Sequence, residues 1–169
     1  MTRWFIDTEF NDDGRTIDLI SIALVSEDGF EREWTSSEFD ESKCNDFVKT
    51  NVLPHIRPPE ERATRKEIAG ALASIVLADH TKLEFWAYFA DYDWVALCQL
   101  YGPMVDLPKG FPFWCRDLKQ LMEQYGFEKE QLPKQQGREH SALADARWVR
   151  DAYIWIQKYR AAAPPALGA

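Results

Sequence analysis

Residues 16–25 (TIDLISIALV) are apolar at both odd and even positions. Alternate side chains on a strand point to opposite faces, so a strand with this pattern has to be covered on both sides. It therefore belongs at the centre of a layered sheet, not at a wet edge. Asn11-Asp12-Asp13-Gly14 before it and Glu27-Asp28-Gly29 after it are turn signals. With residues 4–10 as the first strand and 30–35 as the third, the chain opens as an antiparallel meander.

The period then changes. Residues 37–52 read as a helix with Phe39, Phe47 and Val48 as core contacts, ended by Pro54, Pro58 and Pro59. Ile68, Leu72, Ile75 and Val76 recur at helical spacing over 64–78, and Thr64 with Glu67 makes a capping box. Residues 83–89 (LEFWAYF) form another buried strand. Trp94, Leu97, Cys98 and Tyr101 lie on one face of a helix starting near Asp93 and stopped by Gly102-Pro103. A loop over 102–112, a helix over 117–125 and a polar loop over 126–139 follow. The last helix, 141–159, carries the stripe Ala142, Ala146, Val149, Tyr153 and Ile156, while 161–169 have nothing to bury. The expectation is an α/β chain: one domain over 1–160, a mixed central sheet antiparallel in its first three strands and parallel thereafter, helices around it, and a frayed tail.

Composition narrows the function. A net charge of -8 argues against a protein that coats duplex nucleic acid with a basic face, though not against an enzyme gripping one strand end. No apolar run approaches the roughly 18 residues that span a bilayer, and the N-terminus carries no secretory signal. Cys44, Cys98 and Cys115 match no metal-binding spacing and read as reduced thiols, so a cytoplasmic protein is expected.

Carboxylates gather at three junctions. Asp7 and Glu9 are two apart on the first strand, so they share a face at roughly 7 Å. Asp91 and Asp93 stand where the fourth strand gives way to a helix. His140 and Asp145 stand at the start of the last helix. Oxygen ligands of this kind suit a hard divalent cation. Were His140 and Asp145 on one helix, five residues at 100° each would set them about 140° apart. His140 is better placed just before the helix, on a loop able to close over a substrate.

D-x-E on the first strand, an aspartate opening the helix after the fourth, and H-x-x-x-x-D on the last helix resemble the DEDDh branch of 3′-to-5′ exonucleases, with their ribonuclease H-like fold. The likeness runs over about residues 3 to 158. It implies that Asp7, Glu9, Asp93 and Asp145 hold two Mg²⁺ ions, replaceable by Mn²⁺, and that His140 is the general base. Asp93 matches the family's aspartate better than Asp91, because it follows an aromatic residue, Tyr92, and precedes Leu97 by four positions. An imidazole's ordinary pKa near 6.5 suits a base at neutral pH.

The phrases DTEF, DLISIALVSEDG, AYFADYDWVALCQLYGPM and HSALADAR look most like the bacterial polyadenylate-specific exoribonucleases. That resemblance implies a single-stranded RNA 3′ end as substrate, a preference for adenylates, AMP as product, and a homodimer. Trp94, beside Asp93, departs from the pattern. Phe10, Trp94 and Trp114 are candidates for base stacking. Arg138 is a candidate phosphate contact, as are Arg116, Lys119, Lys134 and Arg147. Two alternatives stand beside this reading: an enzyme trimming short oligoribonucleotides or single-stranded DNA, and a nucleic-acid-binding module that has lost catalysis.

Overall fold

A computed structural model describes residues 1–78 and 81–162. Five strands form one sheet in the order β3-β2-β1-β4-β5: β1 (Thr2–Asp12), β2 (Ile17–Ser26), β3 (Glu31–Thr35), β4 (Leu83–Ala87) and β5 (Arg116–Asp117). β1, β2 and β3 pair antiparallel, whereas β4 runs parallel to β1 and β5 parallel to β4. The expected mixed sheet is present, with helices α1 (Asp46–Asn51), α2 (Arg65–Val76), α3 (Ala90–Gln99), α4 (Leu118–Tyr125) and α5 (Ala142–Ala162) around it.

β2 is covered on both faces as its composition requires. Leu19, Ile20, Ile22, Ala23, Leu24 and Val25 are all buried, and each large aliphatic side chain removed from water contributes roughly 1.5–3 kcal/mol. Alternation along β1 divides the core. Trp4 and Ile6 join Leu97 and Ala96 of α3 and Leu72 of α2, while Phe5 joins Val149, Ala152 and Ile156 of α5. Even-numbered side chains of β1 therefore face α3, and odd-numbered ones face α5.

Three local expectations change. The helix expected over 37–52 is reduced to a single turn of 3-10 helix at Glu41–Lys43 and the six residues of α1. A bridge pairing Ser36 with Ala63 continues the extended chain past β3, and Asn45 caps α1 through a bond from the Val48 amide. α3 starts at Ala90, three residues earlier than expected, because Phe89 adopts a left-handed φ of 57° that turns β4 abruptly into the helix. β5 is two residues long, too short to leave a period in the sequence. The capping box at Thr64 and Glu67 forms as read. Ala161 and Ala162 end α5, and the rest of the expected tail, residues 163–169, lies outside the described residues. Among the described residues no helix is long and apolar enough to cross a membrane.

Candidate active site

β4 ends at Ala87, after its last parallel pair with β1, Phe5 with Trp86. β1 runs on alone along that edge, so Asp7 and Glu9 stand beyond the carboxyl end of β4, where open α/β sheets place their ligands. The register of β1 on β2 also shifts between Glu9 and Phe10, since Glu9 pairs with Ser21 but Phe10 with Leu19. Such an irregularity re-aims side chains at a strand end.

Asp7 and Glu9 are odd-numbered and face α5, which brings up Asp145 in its first turn. One carboxylate oxygen from each of the three lies within 4.8 Å of the others. These side chains line a cleft of about 280 Å³ together with Thr8, Lys129, Gln135, Glu139 and His140. Asp145 is oriented from two sides: Gln135 Nε2 donates to Oδ1 at 2.6 Å, and the Ser141 amide donates to Oδ2 at 3.1 Å.

Thr8 faces the other way, toward α3, and there it meets Asp93. The Thr8 amide and hydroxyl both donate to Asp93 Oδ1 at 2.7 Å. Asp93 is only 5% exposed, whereas Asp91 is exposed on the far side of the same helical turn. Of the two, Asp93 is the aspartate that α3 turns inward.

The electrostatics are those of like charges crowded together. Burial raises the Asp7 carboxyl well above its ordinary range, and Asp93, Asp145 and Glu9 raise it further. Burial, then Asp145 and Asp93, push Glu9 up to about 8. Burial drives Asp93 to about 6 against the opposing pull of its two bonds from Thr8. Asp145 is raised as well, again chiefly by burial. Lys129 is the one ammonium among the residues lining the cleft, and it sits over the rings of Trp148 and Tyr88 at 5.2 and 5.9 Å. Oxygen donors left without a compensating charge fit a hard divalent cation.

His140 lies outside α5, on the preceding loop, as the angular argument requires. It is exposed, with a left-handed φ of 61°, and its ring meets Phe47 of α1 edge-on at 4.9 Å. Glycine, not histidine, is the usual occupant of that conformation, and strain of this kind gathers at functional sites.

A model of the Rv2179c-like 3′-5′ exoribonuclease domain matches residues 2–156. The chain belongs to that family. The 3′-5′ exoribonuclease Rv2179c of Mycobacterium tuberculosis is 44% identical over 148 residues, covering 86% of this chain and 87% of its own. Solved structures share the fold at low identity. The nuclease domain of 3′hExo, a DEDDh family member bound to rAMP, has a TM-score of 0.64 at 13% identity, covering 95% of this chain and 92% of that one. S. pombe Pop2p in its Mg²⁺- and Mn²⁺-bound form has a TM-score of 0.62 at 15% identity, covering 92% and 81%. A 3′-exonuclease solved for recognition of a histone mRNA stem-loop has a TM-score of 0.66 at 14% identity; this chain spans 95% of itself but 64% of that protein. As a member of the Rv2179c-like family the chain is a 3′-5′ exoribonuclease with a ribonuclease H-like α/β fold.

The expected substrate contacts divide. Phe10 stacks on Tyr92 of α3 with ring centroids 5.6 Å apart and planes 10° apart, and Tyr92 is half exposed. Trp94 packs instead on Phe85 in the core beneath α3. Trp114 lies against the Arg116 guanidinium at 4.6 Å and lines a separate cavity with Gln120 and Gln124. Arg138 bonds His55 Nδ1 at 2.9 Å. Arg116, Lys119 and Arg147 are paired with Glu84, Glu123 and Glu31. None of these side chains, Phe10 included, lines the cleft, and Lys134 lines a neighbouring cavity. Thr8 and Gln135 also belong to the site, outside the pattern of acids and histidine. Alternation between Asp7 and Glu9 was a signal for Thr8, while a glutamine in a polar loop gives none.

Thr8→Val keeps the amide donor to Asp93 and removes the hydroxyl donor. In the metal-free protein the Asp93 carboxyl then rises further, and the side chain is held less firmly. The expected result is a loss of about tenfold in kcat/KM at pH 7, the scale of one charge-assisted bond. Steady-state kinetics on an RNA oligomer measure it.

Proposed function

We propose that the cleft hydrolyses single-stranded RNA from its 3′ end, releasing nucleoside 5′-monophosphates, with two divalent cations, Mg²⁺ or in its place Mn²⁺, held by Asp7, Glu9, Asp93 and Asp145. The observation that carries this reading is the convergence of Asp7, Glu9 and Asp145 oxygens within 4.8 Å in a chain of the exoribonuclease family. Such ions, when bound, lower the pKa of an attacking water and offset charge on the leaving oxygen.

The protein's own groups supply the rest. Asp7 is buried beside Glu9 and Asp145 and feels the charge of Asp93 as well, so it would help to hold the cations from the centre of the group. Glu9 and Asp145 complete the position on the α5 side, with Asp145 aimed by Gln135 and Ser141. Asp93 serves the α3 side through Oδ2, its Oδ1 being taken up by Thr8. His140, on its loop at the rim, takes the proton of the attacking water. Phe10 and Tyr92 offer ring faces to the terminal base, worth roughly 1–3 kcal/mol per stacked base.

The finer reading rests on the sequence likeness to polyadenylate-specific enzymes: adenylates are preferred and AMP is the main product. Residues 1–160 work as one catalytic unit, which the family match over 2–156 supports. A homodimer is supported by large apolar side chains exposed on α3 and the segment after it, namely Val95, Met104, Val105, Phe113 and Trp114. Three free thiols are consistent with the cytoplasm. Digestion of 5′-labelled A-tailed RNA, mixed-sequence RNA, dinucleotides and single-stranded DNA in parallel tests the substrate. The expected order places A-tailed RNA first; fastest turnover of dinucleotides or DNA would transfer the assignment to those substrates, and strand binding without release of nucleotides would mean a lapsed enzyme.

A further inference from the structure

Phe47 is 54% exposed on α1, although the residues around it are committed to the core. Val48 and Val52 are buried with Phe39 and Cys44 against Ile20 of β2. The short helix is therefore a platform packed on the sheet, and the Phe47 ring stands out from it. Among the described residues the ring it meets is that of His140, edge-on at 4.9 Å with planes 85° apart.

The loop that carries His140 is held on two sides. Toward α5, Gln135 donates to Asp145 at 2.6 Å. Gly137, at a φ of 93°, brings the backbone so close to that helix that a Cβ there would lie 3.3 Å from the Cβ of Ala144. Toward the platform reach Arg138 and His140. Arg138 meets His55, in the 3-10 turn Leu53–His55 that follows α1, at 2.9 Å. A guanidinium only donates, so His55 Nδ1 is the unprotonated, accepting nitrogen. One contact to the platform would let the loop pivot about it; two, with α5 behind, fix the direction of the imidazole as well as its place.

We propose that Phe47 is the positioning residue of the general base, its ring holding the His140 imidazole at the rim of the cleft while the His55–Arg138 bond holds the loop. The proposal rests on the reading of His140 as the base of a hydrolytic cleft. Phe47 does not itself line that cleft, so it acts through His140 and not on the strand. A base works only within hydrogen-bond reach of the water it deprotonates, so an imidazole that wanders lowers kcat and leaves substrate binding alone. The left-handed φ of 61° at His140 fits this role, because a contact that holds the ring offsets a conformation glycine would adopt more easily.

Steady-state kinetics on pentaadenylate with Mg²⁺ test it. Phe47→Leu is expected to lower kcat about fivefold with KM within about twofold of wild type, the scale of one edge-to-face aromatic pair. Phe47→Tyr keeps a ring in place and should restore most of kcat. His55→Ala should lower kcat about threefold, the scale of one hydrogen bond, again with KM held. In a His140→Asn background, Phe47→Leu should cost less than about twofold, because the ring it positions is gone. A raised KM with kcat unchanged would make Phe47 a substrate contact, and an equal loss in the His140→Asn background, or no recovery with tyrosine, would make it a structural residue; each overturns the proposal. Wild-type protein that leaves pentaadenylate intact, or His140→Asn as active as wild type, overturns instead the reading of the cleft on which it rests.

Discussion

Asp7→Asn is expected to abolish hydrolysis while raising the melting temperature of the metal-free protein. The activity loss follows from position, since Asp7 is one of the three acids whose oxygens lie within 4.8 Å of one another. A fall of at least about 10³-fold is expected, given that such electrostatic stabilisation is usually the largest single contribution to catalysis. The stability gain follows from linkage. A carboxyl with a higher pKa folded than unfolded binds more protons in the native state between those two values, so stability falls as pH rises through that window. For Glu9 the window runs from an ordinary 4.5 to about 8, and for Asp93 from 3.8 to about 6. Chelated wild-type protein should therefore lose stability steadily from about pH 4 to pH 8. Asn at position 7 removes one of the repelling charges, so the variant should melt several degrees higher near pH 8 and show a shallower decline, at roughly 2–4 °C per kcal/mol for a chain of this size. Thermal melts in EDTA across that range measure it. A large drop in melting temperature would make Asp7 a structural residue.

His140→Asn should separate catalysis from cation binding. Asn tolerates the left-handed backbone that His140 adopts, so the loop keeps its course. The side chain lies outside the group of three clustered carboxylates. Loss of a general base costs about 10²–10⁴ in kcat. The rise in melting temperature on adding Mg²⁺ should persist in this variant and be greatly diminished in Asp7→Asn. A His140 variant that loses the Mg²⁺ effect along with its activity would move His140 from proton transfer to cation binding.

The sheet and its acids were legible because they are written in period and position. β2 announces a covered strand by being largely apolar on both faces, and Asp7 and Glu9 share a face through simple alternation. The alternation that groups those two also sends Thr8 to the opposite face, where it holds Asp93. What stayed hidden depends on contacts between distant segments. Whether an aromatic residue stacks on a base or fills the core is decided by its neighbours, and Phe85 draws Trp94 inward. Arg138 is engaged by His55, 83 residues away, a partner no local pattern announces. β5 consists of two residues whose pairing with Trp86 and Ala87 makes them a strand. The 37–52 segment has helical spacing, yet Ser36 and Ala63 pair across it and leave room for only short helical turns.

Four acids acting with divalent cations at a strand's 3′ end are the centre of the proposed reaction. The most direct test is digestion of a 5′-labelled, A-tailed RNA by wild type and Asp93→Ala, each with Mg²⁺ and with EDTA. The wild type with Mg²⁺ should give a ladder shortening one nucleotide at a time from the 3′ end, with 5′-monophosphates released, and the other three reactions should leave the RNA intact. Shortening in EDTA, internal fragments, or a variant as active as wild type would contradict it.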